Sequence, residues 1–161
     1  MSSMDIALEQ ARLAAARGEV PVGVVLLDAA GRVLAQDGNR TEERHDASAH
    51  AEMLVLRAAA NLRNSPRLPD CELVVTLEPC PMCAAAISAF RIKRVIFGAY
   101  DPKGGGIEHG PRLYEGPGSH FRPEVIGGVR EREAASLLKE FFAGLRDTNR
   151  LATSGDGGSG E

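Results

Sequence analysis

The sequence predicts an α/β fold: three layers, α-β-α, with helices covering both faces of a mixed five-stranded sheet. Short β-branched apolar runs alternate with longer stretches of helical periodicity. Gly, Pro and polar clusters punctuate the boundaries. The chain carries no internal repeat.

Each element has its own reason. Residues 4–17 predict a helix, with Ile6, Leu8, Ala11, Leu13, Ala14 and Ala15 on one broad face and Gly18 as its stop. Val24–Leu27 is a short apolar strand, Ala29-Ala30-Gly31-Arg32 a turn, and residues 32–36 the returning strand of a hairpin. Residues 37–48 are polar and predict a loop. Residues 49–61 predict a helix with Met53, Leu54, Leu56 and Ala60 apolar. Pro66 and Pro69 bracket a loop before a buried strand over 73–77, β-branched at Val74, Val75 and Thr76. Residues 81–90 predict a short helix, because Pro81 suits a first turn where its missing N–H costs nothing. Residues 94–100 predict a fourth strand, 122–128 a fifth, and 131–145 a last helix built on Ala134, Leu137, Leu138, Phe141 and Phe142. Between them, residues 103–119 form a Gly- and Pro-rich loop, and loops of that length inside a domain usually serve function or move. Residues 1–150 are expected to form one domain, and 151–161 a disordered Gly/Ser-rich tail.

Composition narrows the class. A length of 161 residues with 43% apolar content supports one real core. No apolar run reaches the 18 or so residues that span a bilayer, so no membrane association is expected. Asp5 and Glu9 interrupt the N-terminal apolar periodicity where a secretory signal would be basic and then unbroken, and the expected location is cytoplasmic. A net charge of −3 and a pI near 5.8 do not advertise nucleic-acid binding. Local charge decides that question, and Arg91, Lys93, Arg94, Lys103, Arg112 and Arg122 follow the cysteines. By spacing alone these basic residues are a solvated surface. Three cysteines cannot all pair with one another, and Cys80 and Cys83 share a P-C-P-M-C context, which favours metal or redox chemistry over a disulfide framework. Cys71 opens an apolar run and reads as a buried structural thiol.

Two short motifs carry chemistry. His50-Ala51-Glu52 and Pro79-Cys80-Pro81-Met82-Cys83 each stand at the start of a predicted helix, about 30 residues apart. A three-residue spacing on a helical turn brings the two sulfurs to one side, and a helix N-terminus favours thiolates. His50 adds a nitrogen donor. Three protein donors leave one tetrahedral position of zinc open, the mark of a catalytic site. Glu52 is the carboxylate available to move protons. Residues two apart on a regular helix point to nearly opposite sides, so His50 and Glu52 converge only if the metal lies beyond the helix end. Alone, C-x-x-C also fits a redox pair, or a structural zinc site with Cys71 as fourth donor. The two motifs together point to catalytic zinc.

The H-x-E…P-C-x-x-C pattern is the known signature of zinc deaminases acting on nucleobases. At these residues the chain resembles the cytidine/deoxycytidylate deaminase superfamily, and within it the bacterial tRNA-specific adenosine deaminases. The likeness runs from about Ala7 to Arg146 and includes Glu19-Val20-Pro21-Val22-Gly23, Gly38-Asn39-Arg40, Thr76-Leu77-Glu78 and Phe97-Gly98-Ala99-Tyr100-Asp101-Pro102-Lys103. It implies a cytidine-deaminase-like fold, one Zn²⁺ per subunit, and a homodimer with a tRNA anticodon loop crossing both subunits. It implies that Asn39 hydrogen-bonds the flipped base, that Val20 packs on it and that the Ala51 backbone contacts it. Asp101 would touch the neighbouring nucleotide, and Phe142 and Arg146 would lie near the RNA. The chain departs from that pattern at Tyr100, where a basic residue occurs in the family, at the 104–119 loop, and at Ala143-Gly144-Leu145-Arg146, where Arg is scarcer.

The implied reaction is hydrolytic deamination of adenosine to inosine at the wobble position of tRNA. Two alternatives stand beside it. One is a deaminase of a free base or nucleoside, such as guanine or cytosine, using the same zinc and the same Glu52. The other is a non-catalytic RNA-binding or assembly module, which requires a fourth protein ligand on the metal.

Overall fold

The computed structural model describes residues 1–154. Its first helix, α1 (Ser3–Ala16), begins with a reciprocal cap: Ser2 Oγ accepts the Asp5 N–H, and the Asp5 carboxylate accepts the Ser2 N–H at 2.8 Å. Strand β1 (Gly23–Leu27) pairs antiparallel with β2 (Val33–Gly38) on one side and with β3 (Glu72–Leu77) on the other. Strands β4 (Arg94–Ala99) and β5 (Glu124–Ile126) continue the sheet in parallel, giving the order β2-β1-β3-β4-β5. The expected mixed five-stranded sheet is therefore present.

Alternation along the strands divides the core in two. Val24, Leu26, Leu73, Val75, Val95 and Phe97 pack under α3 (Ala51–Arg63) and α4 (Pro81–Ala89). Val25, Val74 and Ile96 pack on the other face, under α1 and α5 (Glu131–Ser154). Strands covered on both faces read as continuous apolar runs, which is why Val24–Leu27 and Leu73–Val75 show no alternation in the sequence. Paired Gly23 and Gly38 form a flat seat for α1. A Cβ at Gly23 would collide with the Ala7 carbonyl, and one at Gly38 would come within 2.8 Å of the Gln10 carbonyl.

Several boundaries differ from expectation. The polar stretch 37–48 is not all loop: β2 runs to Gly38, and Thr41–Arg44 forms a short helix, α2. Its cap is remote. The buried Glu19 carboxylate accepts the Glu42 N–H at 3.0 Å and the Glu43 N–H at 2.9 Å, a long-range contact invisible to local periodicity. The fifth strand is only Glu124–Ile126. Helix α5 does not end at 145 but runs to Ser154, so residues 151–154 are helix and not tail. Residues 145–154 contain neither Gly nor Pro, and Thr148 Oγ1 bonds back to the Gly144 carbonyl at 2.9 Å. The remainder of the expected tail, 155–161, lies outside the described residues.

Candidate active site

The site lies at the carboxyl ends of parallel strands β3 and β4, where open α/β sheets bind ligands. His50 is the N-cap of α3, with φ −69° and ψ 148°, and Cys80 is the N-cap of α4, with φ −68° and ψ 169°. Both donors therefore sit on extended backbone just outside a helix. This removes the apparent conflict of the H-x-E spacing. His50 is not on the helix at all, while Glu52 is two positions into its first turn.

His50 Nδ1 stands 3.6 Å from Cys80 Sγ and 3.6 Å from Cys83 Sγ. Tetrahedral zinc with Zn–S of about 2.3 Å and Zn–N of about 2.0–2.1 Å has an S···N edge of about 3.5 Å. The donor set thus fits zinc in both chemistry and spacing. Among the described residues these three form a potential metal-ligating group, with donor atoms within 4.8 Å of one another. Cys71 is no part of it. Its thiol is buried against Asp70 at 3.7 Å, and burial pushes its pKa up to about 11.

The electrostatics suit a cation. Hydrogen bonding from Cys83, helped by His50, holds the Cys80 thiol down at about 4. Cys83 is pushed up by the Cys80 thiolate and by burial, so the metal-free pair shares one proton. A divalent cation takes both as thiolates. The hydrogen bond to Cys80 raises His50. Glu52 is 3% exposed, and burial raises its pKa, with the Cys80 thiolate adding to the effect.

These groups open on a cleft of about 290 Å³ lined by Val20, Asn39, His50, Glu52, Cys80 and Asp101 together with Val22, Thr41, Leu77, Glu78 and Gly104. Three of the expected base contacts are joined by one side chain. Asn39 Oδ1 accepts the Ala51 N–H at 2.9 Å, and Asn39 Nδ2 donates to the Val20 carbonyl at 3.3 Å. Ala51 itself is buried, so its N–H orients Asn39. A second cavity of about 460 Å³ adjoins the first, sharing Val20, Leu77, Asp101 and Gly104. It adds Tyr100, Lys103, Leu138 and Phe142, the last 45% exposed. Tyr100 is held edge-on between Phe97 (5.0 Å) and His109 (6.0 Å). Arg146 is exposed on α5 and lines neither cavity.

Sequence reasoning missed two buried carboxylates beside the cleft, Glu19 and Glu78. Each is an acid at the end of an apolar run, in E-V-P-V-G and V-V-T-L-E-P-C, and that was the available signal. Burial pushes Glu78 up, but the His109 ring and the backbone N–H groups of Asp101, Glu108 and His109 outweigh it and leave it below the ordinary value.

Comparison with known proteins agrees with this geometry. The family profile described as the cytidine and deoxycytidylate deaminase zinc-binding region matches residues 1–99. The chain is 52% identical over 140 residues to the tRNA-specific adenosine deaminase of Agrobacterium fabrum, covering 86% of this chain and 91% of that protein. A solved structure from work on A-to-I editing by tRNA:A34 deaminases at the wobble position superposes with a TM-score of 0.82 at 52% identity, over 84% of this chain and 98% of that one. The guanine deaminase of Nitrosomonas europaea has the same fold, with a TM-score of 0.76 over 88% of this chain and 83% of that one, but only 23% identity. The chain belongs to the cytidine and deoxycytidylate deaminase family of zinc enzymes.

Proposed function

We propose that the chain converts adenosine to inosine at the wobble position of tRNA by zinc-dependent hydrolytic deamination. The observation that carries the reading is a three-donor group, His50, Cys80 and Cys83, beside the buried carboxylate of Glu52 on one cleft. The substrate assignment is supported by the 52% identity to a protein named for that reaction.

His50, Cys80 and Cys83 would hold the zinc, which would supply a Lewis acid that makes water nucleophilic near neutral pH. Glu52 accepts the proton of that water and returns protons to the ring nitrogen and the departing amine. A C6–O bond forms, the C6–N bond breaks, and ammonia leaves. Burial suits Glu52 to this role, because it raises the pKa of the carboxylate and so makes it a stronger proton acceptor than an exposed glutamate. Asn39, fixed by Ala51 and Val20, keeps one Nδ2 hydrogen and one lone pair for the base. Val20 gives the base an apolar wall, Asp101 meets the adjoining nucleotide, and Phe142 and Arg146 flank the RNA. A loop is the natural substrate, since its bases leave the stack at least cost.

The reading includes a homodimer that receives the anticodon loop, working in the cytoplasm where tRNA is the substrate at hand. Among the described residues no helix is long and apolar enough to cross a membrane.

The second reading, deamination of a free base, is favoured only by the fold shared with guanine deaminase. One experiment separates the two. The zinc-loaded protein is incubated with a panel of anticodon stem-loops and with free adenine, guanine, cytosine and their nucleosides, and inosine and ammonia are measured. Turnover confined to stem-loops with adenosine at the wobble position is expected; equal turnover of a free base overturns the tRNA assignment.

A further inference from the structure

The side chain of Glu78 is fully buried, yet it takes no part in the reaction described above. Its two oxygens gather five N–H donors from one stretch of chain. Oε1 accepts the Asp101 N–H at 3.1 Å and faces His109 Nδ1 at 2.8 Å. Oε2 accepts the N–H groups of Ile107, Glu108 and His109 at 3.2, 3.0 and 3.1 Å. A buried carboxylate is tolerated only when its lone pairs are met, and here they are met by a single loop.

The loop's other ties are local or lie at single points: the Asp101 carboxylate accepts the Gly104 N–H at 2.9 Å, and Ile107 is buried in the core, while Glu78 alone among the described residues joins residue 101 to residues 107–109 through one side chain. Gly104, Gly105 and Gly106 lie in the middle of the loop, and glycine backbone resists ordering more than any other. The glycines are needed there for room. A Cβ at Gly105 would strike the Glu78 carboxylate and come within 2.6 Å of the Asp101 carbonyl. A Cβ at Gly106 would lie 2.6 Å from the Pro81 nitrogen. Gly106 N–H also donates to the Pro79 carbonyl at 2.8 Å, which ties the loop to the corner that presents Cys80. The same loop supplies Asp101 and Gly104 to both cavities.

We infer that Glu78 is a positioning residue for substrate: through its grip on residues 101–109 it holds Asp101 and Gly104 as the outer wall of the cleft. This wall lies on the side of the second cavity, where the chain flanking the target base would run. Glu78 therefore governs how tightly that flank is held and not the rate of the bond changes at Glu52. The kinetic consequence rests on the RNA reading given above; the tie between Glu78 and the loop does not.

The test compares the full zinc-loaded chain with Glu78→Gln. Glutamine keeps the length but has one acceptor oxygen, and its amide hydrogens confront the loop N–H groups. Ammonia release from a wobble-adenosine stem-loop is expected to show KM raised about tenfold or more with kcat within roughly threefold. Zinc content is expected to remain unchanged. Amide hydrogen exchange over 101–109 is expected to rise about tenfold, with β3 and α3 unaffected. His109→Ala removes one donor at a half-exposed site and serves where Glu78→Gln fails to fold; it is expected to raise KM about threefold with kcat unchanged. A fall in kcat at constant KM, or unchanged exchange over 101–109, overturns the inference. If the wild-type protein itself leaves the stem-loop untouched, the RNA reading fails, and the exchange measurement alone decides whether Glu78 holds the loop.

Discussion

Glu52 and Glu78 are both buried acids within one cleft, and their surroundings give them opposite characters. Glu52 has few donors and is raised by burial; Glu78 is wrapped in N–H groups and is lowered. Burial thus favours the protonated form of the first, and the surrounding donors favour the anion of the second. Replacing Glu52 by Gln is expected to cut turnover by about 10²–10⁴-fold or more while zinc stays at one per chain, as judged by elemental analysis alongside the assay. Near-normal turnover in that variant would remove Glu52 from the scheme. Cys83→Ala is expected to lose the metal itself, since the remaining His50 and Cys80 are only two donors. The donor residues were legible in the sequence because their types and spacing are rare outside metal or redox sites. Glu19 and Glu78 were not, because a lone acid gains its meaning from partners 20 to 30 positions away.

At the scale of elements, the helix starts position the site. An N-cap residue has extended backbone, so its side chain leaves the helix axis and looks across the first turn. His50 and Cys80 both use that position, and neither is available to cap its own helix through an oxygen. Helix α1 shows the ordinary alternative in Ser2 and Asp5. Ser2→Ala is expected to lower stability by about 1 kcal/mol in a denaturant titration. Asp5 also meets Arg130 at the start of α5, and this contact, with the Ser2 cap, holds its carboxyl down at about 2 against an ordinary 3.8. A depressed carboxylate stabilises the fold above its ordinary pKa and loses that contribution as pH falls towards its folded value. Asp5→Asn is therefore expected to lower Tm at pH 7, with the gap to wild type closing between about pH 4 and pH 2. A gap that persists unchanged at pH 2 would mean the ion pair is not its source.

At the scale of the whole molecule, the metal site ties elements that the sheet alone does not join. His50 belongs to α3 and the cysteines to α4. Zinc thus links the two helices on one face of the sheet. Stripping it with a chelator is expected to lower Tm as well as abolish turnover, and both are expected to return with added zinc. The loss scales with affinity, about 4 kcal/mol where free zinc stands at a thousand times Kd. Equal Tm with and without chelator would show that the link contributes nothing to the fold. On the opposite face the seat for α1 is backbone against backbone. Gly23→Ala is expected to cost about 1–3 kcal/mol, because the helix must move away from β1.

The sequence by itself determined the order of the five strands and of every helix but α2, the buried strands, the three metal donors and the presence of a carboxylate beside them. Those features are local, set by periodicity, residue type and short spacing. Only the tertiary structure decided that His50 stands outside its helix and faces both sulfurs at 3.6 Å. It alone showed that Asn39 is fixed by Ala51 and Val20, and that α2 and the 101–109 loop are each organised by a distant buried acid. The continuation of α5 past residue 145 was also hidden, since polar residues without Gly or Pro carry no apolar stripe to announce a helix. The physical reason is common to all of these. A hydrogen bond between residues far apart in the chain leaves no periodic trace, and the cost of burying a charge is seen only when its partners are seen with it.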